Sequence, residues 1–406
     1  MYVRRITLEN FKCFERADVN FCWPGCRTDY PNINLILGDN GSGKSTLLQG
    51  ISLAILGSVL PNQGYRPHGL IREPSVRNRE ARITAIVKEG SDEQEFVTTV
   101  RRKGSEQVLG LPPTGRRTGG TFEIPEELWS VGSPAYFLCG YGTLRRAAPR
   151  SNYDPEARDK SRGRKYQRVA SLFEDFELTS VSGWFQESSS GRNGVDPHWD
   201  EYVEILSGLL EDTGIGLAMR SIDGEVHFRA QHTDQSLPYS FLAEGHRAHL
   251  AWACDLLRHL GDVTPAKSKL RQTPGVVLVD ELDLHLHPSW ERRILPQLSR
   301  CLPRLQFIVT SHSPVLAGSI PRRNVWFADR GENGTARLIR SDKDYYGRSV
   351  DEILTGSYFQ LRTTLSPDLE AEREAQRGKM NELARAVMTG GDEAAAKAYL
   401  KALRES

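Results

Sequence analysis

Apolar residues in this chain gather into short unbroken runs at a few distant places and alternate with polar residues elsewhere. Ile33-Asn34-Leu35-Ile36-Leu37, Val276-Val277-Leu278-Val279 and Gln306-Phe307-Ile308-Val309 are too short for helices and apolar on both sides of any extended backbone. Such runs predict strands buried on both faces, as in a parallel sheet covered by helices. Thr46-Leu47-Leu48 opens an apolar helix that should continue to about Leu60. Residues 1–37 alternate, as do Ala81–Val87 and Glu95–Val100, which predicts a small antiparallel lobe extended by a hairpin. After Ser236, an amphipathic helix follows with Ala248, Leu250, Ala251, Cys254, Leu257 and Leu260 on one side, and further strands are expected near 324 and 336.

Polar and Gly/Pro-rich stretches divide these elements. Segments 61–80 and 103–121 predict irregular loops, and 150–165 an exposed linker. Residues 166–235 mix helical patterns with a hairpin and sustain no heptads, so a compact insert or lid is expected there. From Ser366 two helices should flank Thr389-Gly390-Gly391-Asp392, with Leu369, Met380, Leu383, Val387, Tyr399 and Leu403 available to pack. The expected organisation is 1–150 and 236–365 as two halves of one α/β core with a mixed or parallel sheet, 151–235 as linker and insert, and 366–406 as a helical tail.

The first apolar run leads directly into Gly38-Asp39-Asn40-Gly41-Ser42-Gly43-Lys44-Ser45, a complete G-x-x-x-x-G-K-S loop between strand and helix. In that context, backbone N–H groups from Gly41 to Thr46 can converge on phosphates at a helix N-terminus. Asn40, Gly41, Ser42, Gly43, Lys44, Ser45 and Thr46 are therefore candidate ATP-binding residues. Lys44 would reach the β- and γ-phosphates, and Ser45 would ligate Mg²⁺. The second run ends in Asp280 and Glu281, which places Asp280 to hold Mg²⁺ through water and Glu281 to polarise the attacking water. The third delivers Ser311-His312-Ser313-Pro314, where His312 could hydrogen-bond the γ-phosphate and register its loss.

In this order the motifs resemble the ATP-binding-cassette ATPases of the RecF/SMC type. They are more closely similar to the bacterial AAA-family ATPases of anti-phage operons, the Septu- and retron-associated ATPases. Ile6-Thr7-Leu8-Glu9-Asn10-Phe11-Lys12-Cys13-Phe14 matches that group's opening, Asp280–Pro288 its D-E-x-x-x-x-L-H-P stretch, and Thr310–Pro314 its switch-histidine motif. The resemblance implies an α/β P-loop core of cassette type and a nucleotide contact at Lys12. It implies a head-to-tail dimer or higher assembly in which Gly245, opening the Ala248–Leu260 helix, faces the other copy's phosphate. Ala243 stands where cassette ATPases place the signature serine, and no clear glutamine loop is present. Cys139-Gly140-Tyr141-Gly142-Thr143-Leu144-Arg145-Arg146 occupies roughly its place. Arg145 and Arg146 would either reach phosphate or a partner subunit, or make surface salt bridges.

Bulk charge separates the remaining options only weakly. Lys plus Arg number 53 against 52 Asp plus Glu, so nothing global draws the chain to nucleic acid or membrane. Locally, Arg158–Arg168 carries six basic residues in eleven; it either grips an anionic backbone or acidic partner or is merely solvated. Six scattered cysteines form no paired C-x-x-C spacing and fit reduced thiols in a cytosol. No signal-like apolar core opens the chain and no segment is long and apolar enough for a bilayer, so a cytoplasmic setting without membrane contact is expected.

Nothing in the sequence suggests a fused nuclease. The reading is therefore an ATPase that licenses a separate effector, such as a nuclease encoded nearby, in phage defence. The alternative is a RecF/SMC-like nucleotide-gated DNA-binding protein with slow or no hydrolysis. A transporter motor fits poorly, because such motors keep an intact signature turn and glutamine loop.

Overall fold

The computed structural model describes residues 1–57, 60–61, 64–72, 80–103, 106–110, 114–117, 120–123, 137–148, 164–190, 194–222, 225–230, 235–331, 333–340, 343–356, 358–359, 361, 363–388 and 397. They belong to two units, Met1–Gly347 and Arg348–Ser406.

In the first unit, β1 (Tyr2–Phe11) and β2 (Phe14–Asn20) form a hairpin, and β3 (Ile33–Gly38) runs into α1 (Lys44–Leu56). Then come β4 (Glu80–Glu89), β5 (Asp92–Lys103), β6 (Glu106–Gly110), β7 (Thr114–Arg117), β8 (Gly120–Glu123) and β9 (Leu138–Tyr141). The insert supplies α2 (Val181–Ser190), α3 (Trp199–Leu209), β10 (Ile215–Ile222), β11 (Glu225–Ala230) and β12 (Ser236–Pro238). The core resumes with α4 (Glu244–Val263), β13 (Gly275–Val279), α5 (Pro288–Cys301), β14 (Leu305–Ser311), β15 (Val325–Arg330) and β16 (Ala336–Ile339). The second unit contains α6 (Val350–Leu354) and α7 (Pro367–Met388).

The central sheet has the order β16-β15-β3-β14-β13-β9. Every pairing in it is parallel except that of β16. β3, β13, β14 and β9 are buried along their whole length, as unbroken apolar runs require. A second, antiparallel sheet is built on β2-β1-β4-β5-β7-β8. α1 lies in the core between the sheets: Leu47, Leu48, Ile51 and Ile55 share one buried cluster with Leu8 and Ile83 of the lobe and with Ile36, Leu278 and Ile308 of the central sheet. A helix buried on nearly every side has no polar face to show, which explains the nearly unbroken apolar run that encodes it. Thr98 ties lobe to helix, its Oγ1 donating to the Leu53 carbonyl at 3.0 Å.

The insert packs on the second half of the core. The ring of Trp184 in α2 lies 5.0 Å from that of Tyr202 in α3, and a Cβ on Gly208 of α3 would sit 2.7 Å from Cys301 Sγ at the end of α5. β10, β11 and β12 form a small antiparallel sheet.

Three expectations need correction. The Gly/Pro/Arg-rich segment 103–121 predicts an irregular loop, yet its described part pairs as strands. β6 bonds to β5 from Lys103↔Glu106 to Thr99↔Gly110, and β7 joins β5 at Gln94 and Glu95. The long β5 offers backbone partners at both ends, and pairing outweighs the weak strand propensity of Gly and Arg. Next, α1 begins at Lys44 and ends at Leu56, earlier at both ends than expected. Finally, the composition of the basic run predicts a surface position. Its described part is buried: Lys165 is 2% and Arg168 3% exposed, and Arg168 lies over the Phe137 ring at 5.3 Å. Most of the run, like the 150–163 linker and the second tail helix, falls outside the described residues.

Candidate functional site

Because β9, β13, β14, β3 and β15 run parallel, their carboxyl ends open on one edge of the sheet, where ligands of α/β folds bind. Residues expected to do chemistry follow four of these strands.

The loop after β3 turns through left-handed backbone at Gly41 (φ 73°) and Gly43 (φ 102°). Gly43 is required twice over. Its φ suits glycine, and a Cβ there would lie 2.7 Å from Phe14 Cζ and 2.9 Å from Cys13 Sγ. The loop delivers Lys44 to the first position of α1, where its Nζ donates to the carbonyls of Gly38 (2.7 Å) and Asp39 (2.9 Å). Lys44 Nζ also lies 3.0 Å from His312 Nε2. An ammonium donates and cannot accept, so this contact is a hydrogen bond in the tautomer that leaves Nε2 without a proton. Burial lowers the Lys44 pKa, opposed by the nearby carboxylates of Asp280, Glu281, Asp39 and Asp283.

After β13 the chain turns sharply. Glu281 and His285 both have left-handed φ, 47° and 66°, uncommon for residues with a Cβ. Thr310, fully buried near the end of β14, organises this turn. Its hydroxyl donates to Asp280 Oδ1 and accepts from the Glu281 N–H at 2.8 Å, while its carbonyl accepts from the Leu282 N–H at 2.9 Å. Glu281 Oε1 stands 3.7 Å from His312 Nε2, a separation that leaves the carboxylate free for another partner. The switch segment is tied to α5 as well: Ser313 donates to the Glu291 carboxylate.

Lys44, Glu281 and His312 thus meet at one point, although 268 residues separate the lysine from the histidine. Asn40 and Ser45 are exposed beside them, and Ser42 is buried with its Oγ lacking a partner. The Ser45 hydroxyl and the Asp280 carboxylate are hard oxygen donors of the kind Mg²⁺ takes. Asp280 keeps one oxygen beyond the Thr310 hydrogen bond, so the residues present fit the metal.

Two further candidates are held by other contacts. Lys12, itself at φ 48°, donates to Gln49 Oε1 at 2.6 Å, and Gln49 donates on to the Leu172 carbonyl. Gly245 sits in the first turn of α4, where a Cβ would come within 2.2 Å of the His285 carbonyl. The glycine lets α4 meet the 281–287 turn, and the exposed Ala243 and Glu244 flank it.

Arg145 is not at the surface. It is 5% exposed, and its Nη2 donates to the Glu281 carbonyl at 2.7 Å. Burial pushes its pKa down to about 10, against the pull of Asp280, Asp283 and Glu281. Behind the turn lies a cluster of buried polar groups lacking partners: Arg145 Nε, Asp283 Oδ1, His249 Nε2 and Trp290 Nε1. His249 packs against Trp290 with ring centroids 4.6 Å apart. Burial, chiefly, and then Arg145 lower the His249 pKa to about 3. Sequence reasoning assigned no role to Thr310, although it heads the switch motif, and left Arg145 between two readings. Arg330 carried no signal at all; its Nε donates to the Gly41 carbonyl at 2.8 Å.

The family described as "AAA domain, putative AbiEii toxin, Type IV TA system" matches residues 33–318, an interval that includes Lys44, Glu281 and His312. The chain is 39% identical over 399 residues to the Retron Ec83 probable ATPase of Escherichia coli, a match covering 81% of this chain and 72% of that one. It is 24% identical over 375 residues to the Septu protein PtuA of Bacillus mycoides, covering 91% of this chain but only 46% of that relative's length. Among solved structures, the SMC head domain from Thermotoga maritima superposes with a TM-score of 0.48 at 16% identity, covering 84% of this chain and all of that one.

Proposed function

The chain belongs to the AAA-domain family that its residues 33–318 match, and from that premise we propose that it is an ATPase serving anti-phage defence. The observation that carries the reading is the meeting of Lys44, Glu281 and His312, with His312 Nε2 3.0 Å from the lysine and 3.7 Å from the carboxylate. A cation for the phosphates and a carboxylate to position the attacking water are groups that phosphoryl transfer to water uses, and an imidazole beside them can hydrogen-bond the γ-phosphate.

On this reading Lys44 exchanges its partners at Gly38, Asp39 and His312 for the β- and γ-phosphates. His312, released, turns a ring nitrogen to the γ-phosphate, and Glu281 takes the proton of the attacking water. Bound Mg²⁺, held by Ser45 and Asp280, would neutralise charge developing on the phosphate oxygens. The loop amides of residues 41–46 bind the remaining oxygens.

We further propose that two copies close head-to-tail on the nucleotide, each phosphate loop facing the α4 N-terminus of the other at Gly245. The γ-phosphate would favour the closed pair because it makes those contacts only there. Hydrolysis would then reset a separate effector, of which a nuclease is the most natural for defence. The names of the relatives, a retron ATPase and a Septu protein, support the setting. The alternative of a DNA-gripping scaffold draws less support, because Lys165 and Arg168 of the basic run are buried. Phosphate release by the purified protein tests the central step. Wild type should turn over, Lys44→Ala should not, and Glu281→Gln should hold ATP without releasing phosphate. Sedimentation of the Glu281→Gln variant with ATP should reveal a dimer. Equal phosphate release by wild type and Lys44→Ala would refute the proposal.

A further inference from the structure

Glu281, the proposed base, sits at φ 47°, a conformation that residues with a Cβ adopt only when their surroundings hold them there. Three groups hold this one. The Thr310 hydroxyl takes its N–H at 2.8 Å. Its carbonyl receives the Leu284 N–H at 3.0 Å and Arg145 Nη2 at 2.7 Å. Of the three, only Arg145 comes from outside β14 and the turn that follows β13.

The loop bearing Arg145 is itself fixed on both sides. At its start, Gly142 packs so tightly that a Cβ would lie 2.1 Å from the Ser171 carbonyl, and its N–H donates to Ser171 Oγ at 3.0 Å. At its end, residues 146–148 pair with Leu178 through two backbone hydrogen bonds of 2.8 Å. The Arg145 side chain therefore reaches the turn from a rigid support, buried, and ends on a backbone oxygen. A guanidinium committed to that oxygen and buried behind the turn does not reach for a phosphate in this arrangement.

We propose that Arg145 is a positioning residue of the hydrolytic site, which holds the Glu281 peptide in its left-handed conformation and so aims the carboxylate at the water beside His312. The inference rests on the ATPase reading and deepens it. It adds a role for a residue on β9's loop, 136 positions from the base, and predicts that the role passes entirely through residue 281.

The test pairs Arg145→Met, which keeps length and removes every donor, with Arg145→Lys, whose ammonium can still donate to a carbonyl. Displacing a catalytic group by ångström amounts costs on the order of 100-fold in rate, so Arg145→Met should lower kcat by about that factor. The KM for ATP should change by less than about threefold, because ground-state binding is untouched. Arg145→Lys should recover at least about tenfold of the loss. In the Glu281→Gln background, Arg145→Met should add no further loss, since the group it aims is already disabled. Full kcat in Arg145→Met, a raised KM with kcat kept, or an additive loss in the Glu281→Gln background would each overturn the proposal. Should Arg145→Met fail to fold, the kcat of Arg145→Lys decides: an unrecovered rate in a folded protein is the overturning result. A crystal structure of Arg145→Met supplies a readout independent of turnover. Residue 281 should leave the left-handed region; if it stays there with its carboxylate still facing His312, Arg145 does not position it. Wild-type turnover no higher than that of Lys44→Ala would remove the ATPase reading instead, and the backbone of residue 281 would still report on Arg145.

Discussion

Replacing Thr310 by valine should damage the site and the fold together, and by an amount that can be worked from its two hydrogen bonds. Valine matches threonine in shape, so the substitution opens no cavity and isolates the hydroxyl. That hydroxyl is fully buried and serves both Asp280 Oδ1 and the Glu281 N–H. A hydrogen bond to a charged group contributes about 1.5–3 kcal/mol, and a buried donor left unmet costs about 1–3 kcal/mol. The two are not independent, because one oxygen makes both, so the expected destabilisation is about 2–4 kcal/mol rather than their sum. The measurement is the shift in urea midpoint at unchanged m-value, with Thr310→Ser as the control that keeps the hydroxyl. Thr310→Val should also lose on the order of 100-fold in ATP turnover, as the Glu281 peptide loosens. If Thr310→Val unfolds within about 0.5 kcal/mol of wild type, the typical range for a substitution away from any special feature, and keeps its turnover, the claim that this hydroxyl organises the turn is wrong.

Other outcomes follow from single contacts. Gly245→Ala should destabilise by about 1–3 kcal/mol, since its Cβ would meet a backbone oxygen at 2.2 Å, an overpacking that outweighs the gain in helix propensity. Gly378→Ala, inside α7 with nothing within 4 Å of its Cβ, should instead stabilise by about 1 kcal/mol; thermal or urea unfolding of both variants checks the contrast of sign. Gly43→Ala, at φ 102°, should weaken ATP binding by at least about tenfold in a titration, because an alanine cannot hold that backbone without strain. His249 has a folded pKa lowered to about 3, so it stays neutral in the fold while the unfolded chain takes up a proton below about pH 6.5. Its contribution is present above that pH and is lost on acidification, at 1.36 kcal/mol per pH unit. The stability of wild type relative to His249→Phe should therefore fall by about 2 kcal/mol between pH 6.5 and 5; an unchanged difference would contradict a neutral, buried His249.

Much of the central sheet was legible because burial on both faces leaves apolar runs too short to be helices. The strands carrying Lys44, Asp280 and His312 could be read for that reason, and their motifs sit at their ends. What escaped was set by contacts between distant segments. β6 and β7 depend on the length of β5, not on their own Gly- and Arg-rich composition. Lys165 and Arg168 look like surface charge in a basic run, yet both are buried, Arg168 over the Phe137 ring and with its carbonyl bonded to Gly140 of β9. The turn at Glu281 gives no local sign of its left-handed backbone, since neither neighbour is a glycine. Arg145, which satisfies that turn, stands in a loop whose sequence is equally compatible with the surface. Such a residue becomes visible only when the partner it satisfies is known.

The most direct measurement is a structure of the protein with Mg²⁺ and a non-hydrolysable ATP analogue. The account predicts one nucleotide whose γ-phosphate lies within hydrogen-bond reach of both Lys44 Nζ and His312, with the metal on Ser45 and the Asp280 side and the Glu281 carboxylate facing the γ-phosphate. A nucleotide bound away from Lys44, or one that touches Lys44 while His312 and Glu281 stay out of reach of its γ-phosphate, would contradict it.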